Sequence, residues 1–200
     1  AMKTKAVRIY GKMDLRLEEF ELPPTGDDGI LAEVVCDSLC MSSYKAAKQG
    51  PDHKRVPDDC ATNPTMIGHE FAGRLVEVGE KWKDQFEVGE MFGIQPALMY
   101  KGSLDAPGYS FPTVGGDATY VRIPSCVMEM DCLLKYSGQG YFAADRFNSG
   151  GFSALELGGN VRFAGDVDIS APLVVWVAHG GVIEASGKVR ISAPHVALGR

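Results

Sequence analysis

The sequence predicts a mainly β protein: a small β-barrel with short helices over residues 1–144, then a short β-solenoid-like segment over residues 145–200. Three observations lead there. Twenty-four glycines and eleven prolines in 200 residues favour short strands joined by turns over long helices. Brief alternating apolar runs, such as Ala118-Thr119-Tyr120-Val121-Arg122-Ile123, recur between Gly/Pro-rich loops. Near the end, the stretch Gly159 to Pro172 aligns with Gly181 to Pro194 at an offset of 22 residues.

Composition narrows the function classes. Apolar content of 45% and charged content of 23% suit a globular chain with a sizeable core. A net charge of −6 leaves no basic excess to release counterions, which argues against nucleic-acid or anionic-membrane partners. The five cysteines form no regular framework, as in a reduced, cytoplasmic chain. The longest apolar run, Leu173 to Ala178, is far short of the roughly 20 residues that cross a bilayer. No membrane partner is expected.

Taken in order, Ala6–Tyr10 and Leu15–Leu17 read as paired strands around Gly11–Asp14. Ile30–Val35 is a strand leading into Cys36-Asp37-Ser38-Leu39-Cys40. Ser42 is placed to cap a short helix through Gln49, with Gly50 as its stop. A polar loop to Pro64 carries His53, Lys54 and Arg55, with Lys45 and Lys48 just before it. These groups could reach a phosphate or polyol substrate, but a solvated charged loop is the favoured reading. Leu75, Val76 and Val78 mark a strand bounded by glycines, and Phe86–Phe92 turns into another.

The chemistry concentrates around Gly68-His69-Glu70 and Cys40. Cys, His and Glu are ligands zinc takes when one coordination position stays open for substrate. Cys40 also stands ahead of a helix N-terminus, whose dipole suits a metal-bound sulfur. A small buried apolar residue is the alternative reading of Cys40.

With Gly68-His69-Glu70-x-x-Gly73-x5-Gly79, the turn Asp37–Ser43, Pro57–Pro64 and Pro107–Gly116, residues 3–144 resemble a known family. It is the GroES-like catalytic domain of zinc-dependent medium-chain dehydrogenases, in the branch of polyol and sugar-phosphate reductases. The resemblance implies zinc ligation by Cys40 and His69, and Glu70 as a further ligand or a carboxylate just behind. It implies a proton-relaying hydroxyl at Ser42, hydride exchange with NAD(P), and a small alcohol, polyol or sugar-phosphate substrate. Ser43 stands where an Asp usually orients the zinc-bound His, and Trp82 where a small residue closes the signature. The Lys101–Gly116 loop has no cysteine, so it cannot hold a four-Cys structural zinc.

Beyond Ala144 the character changes. The Glu that often completes the family's zinc site has no counterpart; Asn148 stands near its place, with Asp145 the nearest carboxylate. Gly138-x-Gly140-x-x-Ala143 matches a loosened dinucleotide fingerprint, but no βαβ pattern surrounds it, so no Rossmann domain is expected. In the repeat, Val161 aligns with Ile183, Val167 with Val189, Ile169 with Ile191, Val174 with Val196 and Trp176 with Leu198. This resembles the β-helical coils of filamentous-haemagglutinin-type proteins, and Phe152–Leu157 reads as part of a preceding coil. His179 and His195, not equivalent in the repeat, read as structural or surface residues.

Two functions follow. In the first, the chain is a zinc-binding catalytic fragment of an NAD(P)-dependent dehydrogenase, inactive alone and joined to an unlike, chimera-like tail. In the second, the solenoid mediates association as a homo-oligomer and the zinc motif is inert.

Overall fold

The computed structural model describes residues 2–136, 154–157, 160–170, 174–177, 182–192 and 195–198. These fall into two compact units, one ending at Tyr136 and the other starting at Ala154. Gly138, Gly140, Ala143, Asp145, Asn148 and His179 lie outside the described residues.

In the first unit, β1 (Lys3–Gly11) and β2 (Asp14–Glu21) form the expected hairpin, with Met13 at φ 54° in its turn. β3 (Ile30–Asp37) runs two residues past its predicted end. It is followed by α1 (Met41–Gln49), β4 (Thr65–Met66), β5 (Phe71–Val78), β6 (Met91–Ile94), β7 (Tyr120–Ile123), α2 (Ser125–Glu129) and β8 (Leu133–Tyr136). These strands make a three-stranded sheet, β2-β1-β4, and a five-stranded sheet, β7-β3-β5-β6-β8. All pairings in both are antiparallel.

The core shows why these runs are strands. Ile30, Ala32, Phe71, Leu75, Phe92, Ile94, Val121 and Ile123 are essentially inaccessible to solvent. Phe71 and Phe92 meet edge to face, centroids 6.0 Å apart. Each fully buried side chain of this size contributes about 1.5–3 kcal/mol through area removed from water. Trp82 joins the same core and donates its Nε1–H to the Asp28 carbonyl at 2.9 Å.

Two expectations need correction. No closed barrel forms among the described residues. β1 meets the chain ahead of β7 through one bridge, Ala6 with Ala118, and two flanking hydrogen bonds. A continuous ladder fails there because Gly116 and Asp117 turn their N–H groups to the carbonyls of Gly68 and Ile67, at 2.7 and 3.1 Å. Second, Ser42 does not cap α1. Cys40 is the N-cap, and Ser42 sits within the first turn; Gly50, at φ 54°, ends the helix as expected.

The second unit consists of β9 (Ala154–Leu157), β10 (Asn160–Phe163), β11 (Val167–Ser170), β12 (Val174–Val177), β13 (Val182–Ala185), β14 (Val189–Ser192) and β15 (His195–Leu198). Every pairing is parallel: β10 with β13, β11 with β14, and β12 between β9 and β15. Asn160 faces Val182 and Val167 faces Val189, the 22-residue offset the repeat predicts. The third strand departs from it. Val174 faces His195 rather than Val196, and Trp176 faces Ala197 rather than Leu198. Two residues separate β14 from β15, whereas three separate β11 from β12, so the register slips by one. Among the described residues, no helix is long and apolar enough to cross a membrane.

Candidate metal centre

Two segments that backbone geometry forces together build the centre. At the end of β3 the register with β5 shifts between Val34 and Cys36, a bulge that redirects the chain towards α1. Cys40 then adopts extended geometry (φ −97°, ψ 144°) as N-cap, and its Sγ accepts a hydrogen bond from the Ser42 N–H at 3.4 Å. The second segment leads into β5. Gly68 has φ +93°, and a Cβ there would lie 2.4 Å from Asp37 Oδ2 and 2.5 Å from the Asp117 nitrogen. Only glycine fits that contact. The Ser38 N–H donates to the Glu70 carbonyl at 3.1 Å, tying the segments directly.

The result brings Cys40, His69 and Glu70 to one place, their ligand atoms all within 4.8 Å of one another. His69 Nε2 lies 3.7 Å from Glu70 Oε1. Ligand atoms around a tetrahedral zinc stand about 3.3–3.8 Å apart, so the trio needs only a small contraction to bind one. A thiolate, an imidazole and a carboxylate form a donor set that suits zinc. Among the described residues no other such group occurs.

The opposite ring nitrogen of His69 is held as well. Nδ1 lies 3.2 Å from Ser43 Oγ and 3.0 Å from the Tyr109 hydroxyl, in a site where His69 is 3% exposed. A proton on Nδ1 thus has hydroxyl acceptors, which leaves the Nε2 lone pair to the Glu70 side. Ser43, expected as a weakened replacement for a carboxylate, does reach the ring, and Tyr109 adds a second oxygen.

Tyr109 arrives from a tight turn. Gly108 has φ +77°, and its N–H donates to the Val114 carbonyl at 3.0 Å. The phenol ring is tilted against His69 (centroids 4.9 Å) and stacked on His53 (5.5 Å, 9° between planes). Burial pushes its hydroxyl up to about 12; the nearby Cys40 side chain adds to this and the Ser42 side chain opposes it. The phenol therefore keeps its proton at physiological pH.

His53 is not the solvated loop residue of one sequence reading. It is buried, and its Nδ1 accepts from the Arg55 N–H at 3.3 Å. Burial, followed by the charges of Lys45, Arg55 and Lys54, lowers its pKa. Ser42 itself is exposed on the first turn of α1.

Behind the centre stands a carboxyl pair, Asp37 and Asp117. Asp37 Oδ2 is buried with no hydrogen-bond partner if the group is ionised. Burial pushes Asp37 up to about 8; the neighbouring Asp117 carboxyl acts in the same direction, while the Ser38 N–H opposes them. Folding thus favours the protonated carboxyl, and that contribution is lost as pH rises towards the folded-state value. Stability should fall between about pH 4 and about 8. In Asp37→Asn that slope should disappear. Urea unfolding across this range checks it; equal slopes in both proteins would refute the assignment.

Neither Tyr109 nor the Asp37–Asp117 pair was singled out in the sequence. Pro107-Gly108 signals a turn there, but no local pattern announces a phenol folding back onto a residue 40 positions earlier.

No family model matches the chain. It is 56% identical over 139 residues to the L-sorbose 1-phosphate reductase of Klebsiella pneumoniae, covering 70% of this chain and 34% of that protein. It is 45% identical over 139 residues to the mannitol-1-phosphate 5-dehydrogenase of Aliivibrio fischeri, covering 70% and 33%. The chain spans about one third of the length of these curated relatives. Among solved structures, 2R,3R-butanediol dehydrogenase from Bacillus subtilis superposes with a TM-score of 0.57 at 20% identity, over 92% of this chain and 63% of that one. A candidate zinc-binding dehydrogenase from Sinorhizobium meliloti 1021, bound to NADP, gives 0.56 at 15%, over 97% and 63%. The homologues are polyol and sugar-phosphate dehydrogenases, and the fold is mainly β, matching the GroES-like domain of alcohol dehydrogenases.

Proposed function

We propose that this chain supplies the zinc-binding catalytic segment of an NAD(P)-dependent polyol or sugar-phosphate dehydrogenase. The observation that carries the reading is the convergence of Cys40, His69 and Glu70, in a chain whose relatives are named for sugar- and polyol-phosphate substrates. Residues 1–144 form this segment and residues 145–200 the repeat.

Cys40, His69 and Glu70 hold the zinc, which when bound polarises the carbon–oxygen bond of the substrate. The hydride would be exchanged with NAD(P). The chain's own residues do the rest. Ser42, exposed on the first turn of α1 two residues beyond Cys40, holds the proton that the substrate oxygen gains or loses. Lys45, Lys54 and Arg55, grouped around His53, offer cationic donors for the phosphate end of a sugar phosphate.

The test is zinc analysis of the purified chain beside a hydride-transfer assay with ketose phosphates. About one zinc per chain, released by chelator, is expected. A chain that takes up no stoichiometric zinc would refute the reading.

A second reading rests on the parallel ladders at a 22-residue offset. They suit stacked β-solenoid coils, and in that reading the β15-β12-β9 sheet recruits further copies of the chain along its edges. Sedimentation at increasing concentration decides it: a monomer throughout rules it out.

A further inference from the structure

We infer that Tyr109 is a positioning residue for the metal ligand His69, sharing with Ser43 the role of orienting its imidazole. The inference rests on the metal centre proposed above and goes beyond its ligand set. An imidazole bound to a metal through one nitrogen is oriented by the group that binds the other. Ser43 alone is a poor anchor, since its hydroxyl stands 3.2 Å from Nδ1 and carries no charge. The Tyr109 hydroxyl stands closer, at 3.0 Å, and is itself immobilised.

Two features hold the phenol in place. The ring is stacked on His53 at 9°, with only 6% of the residue exposed. The turn that delivers it packs so closely on the ligand segment that a Cβ on Gly108 would fall 2.0 Å from the Gly68 carbonyl oxygen. Tyr109 therefore links the metal ligand His69 and the stacked His53 in one buried cluster. Because both partners of Nδ1 are neutral hydroxyls, the imidazole gains less basicity than a carboxylate would confer.

Zinc affinity is the readout, measured on the full chain by competition with a chromophoric chelator, with cobalt substitution reporting ligand geometry. Tyr109→Phe keeps the ring stacked on His53 and removes only the oxygen. It should weaken zinc binding roughly tenfold and alter the visible absorption of the cobalt form. Adding Ser43→Asp should restore the affinity, and in the Ser43→Asp background Tyr109→Phe should have no effect. Unchanged affinity in Tyr109→Phe overturns the inference. So does a loss that Ser43→Asp leaves unrestored, because packing alone then explains it. If Tyr109→Phe fails to fold, Ser43→Ala decides: zinc affinity within about threefold of the parent supports Tyr109 as the main partner of Nδ1, and a loss of about tenfold or more overturns it. A parent chain that binds no zinc sinks the metal centre itself, whereas zinc binding indifferent to Tyr109 sinks only this inference.

Discussion

His69→Ala should lower zinc affinity by on the order of a thousandfold, about 4 kcal/mol. It removes one of three convergent ligand atoms, and the one most completely enclosed. The chelated, metal-free variant should also be less stable than the chelated parent, by about 1–3 kcal/mol, because the Ser43 and Tyr109 hydroxyls lose a shared partner. Thermal unfolding with and without zinc separates the two terms, since bound metal adds stability only in proportion to its affinity for the folded state. A variant that binds zinc within tenfold of the parent would mean that His69 is not a ligand.

Gly108→Ala should cost about 2–4 kcal/mol of stability and weaken zinc binding together. The backbone there has φ +77°, and the new Cβ would meet the Gly68 carbonyl oxygen at 2.0 Å, its carbon at 2.4 Å and His69 Cα at 2.7 Å. All of these are backbone atoms or Cα, so relief requires moving the segment that carries His69. Gly102→Ala is the control. Its φ of +78° imposes the same conformational strain, but nothing lies within 4 Å, so only about 1 kcal/mol is expected. Equal destabilisation by the two substitutions, measured by chemical denaturation, would show that close approach at Gly108 contributes nothing.

The sequence revealed what is local. Alternation and turn residues located the β1–β2 hairpin, β3, β5, β6 and β7, and Gly50 marked the end of α1. The grouping of Cys40, His69 and Glu70 was also legible, because these residue types have few other reasons to accompany those glycines. What escaped depends on distant pairings. Tyr109 reaches His69 across 40 positions, and Asp37 meets Asp117 across 80. Periodicity within a strand carries no information about such contacts. Open sheets replaced the expected closed barrel for the same reason, since the hydrogen bonds of Gly116 and Asp117 are committed to the loop before His69. The slipped register of β12 and β15 shows another limit. The observed register even sets Val174 opposite His195, so the length of the connection decided rather than the apolar pattern.

That slip bears on how the repeat can grow. At one corner, Gly187 donates to the Gly165 carbonyl at 3.0 Å, Gly165 to Ser186 Oγ at 2.7 Å, and Lys188 to Asp166 Oδ1 at 2.7 Å. A Cβ on Gly187 would lie 2.1 Å from Asp166 Oδ1, so this corner admits neither an added residue nor a larger one without rebuilding its neighbour. The connection from β11 to β12 and its counterpart from β14 to β15 already differ by one residue, while β11 and β14 keep their pairing. Variation in length is therefore channelled to one side of the repeat. Related chains should carry their insertions there, and a grafted loop should be tolerated there first.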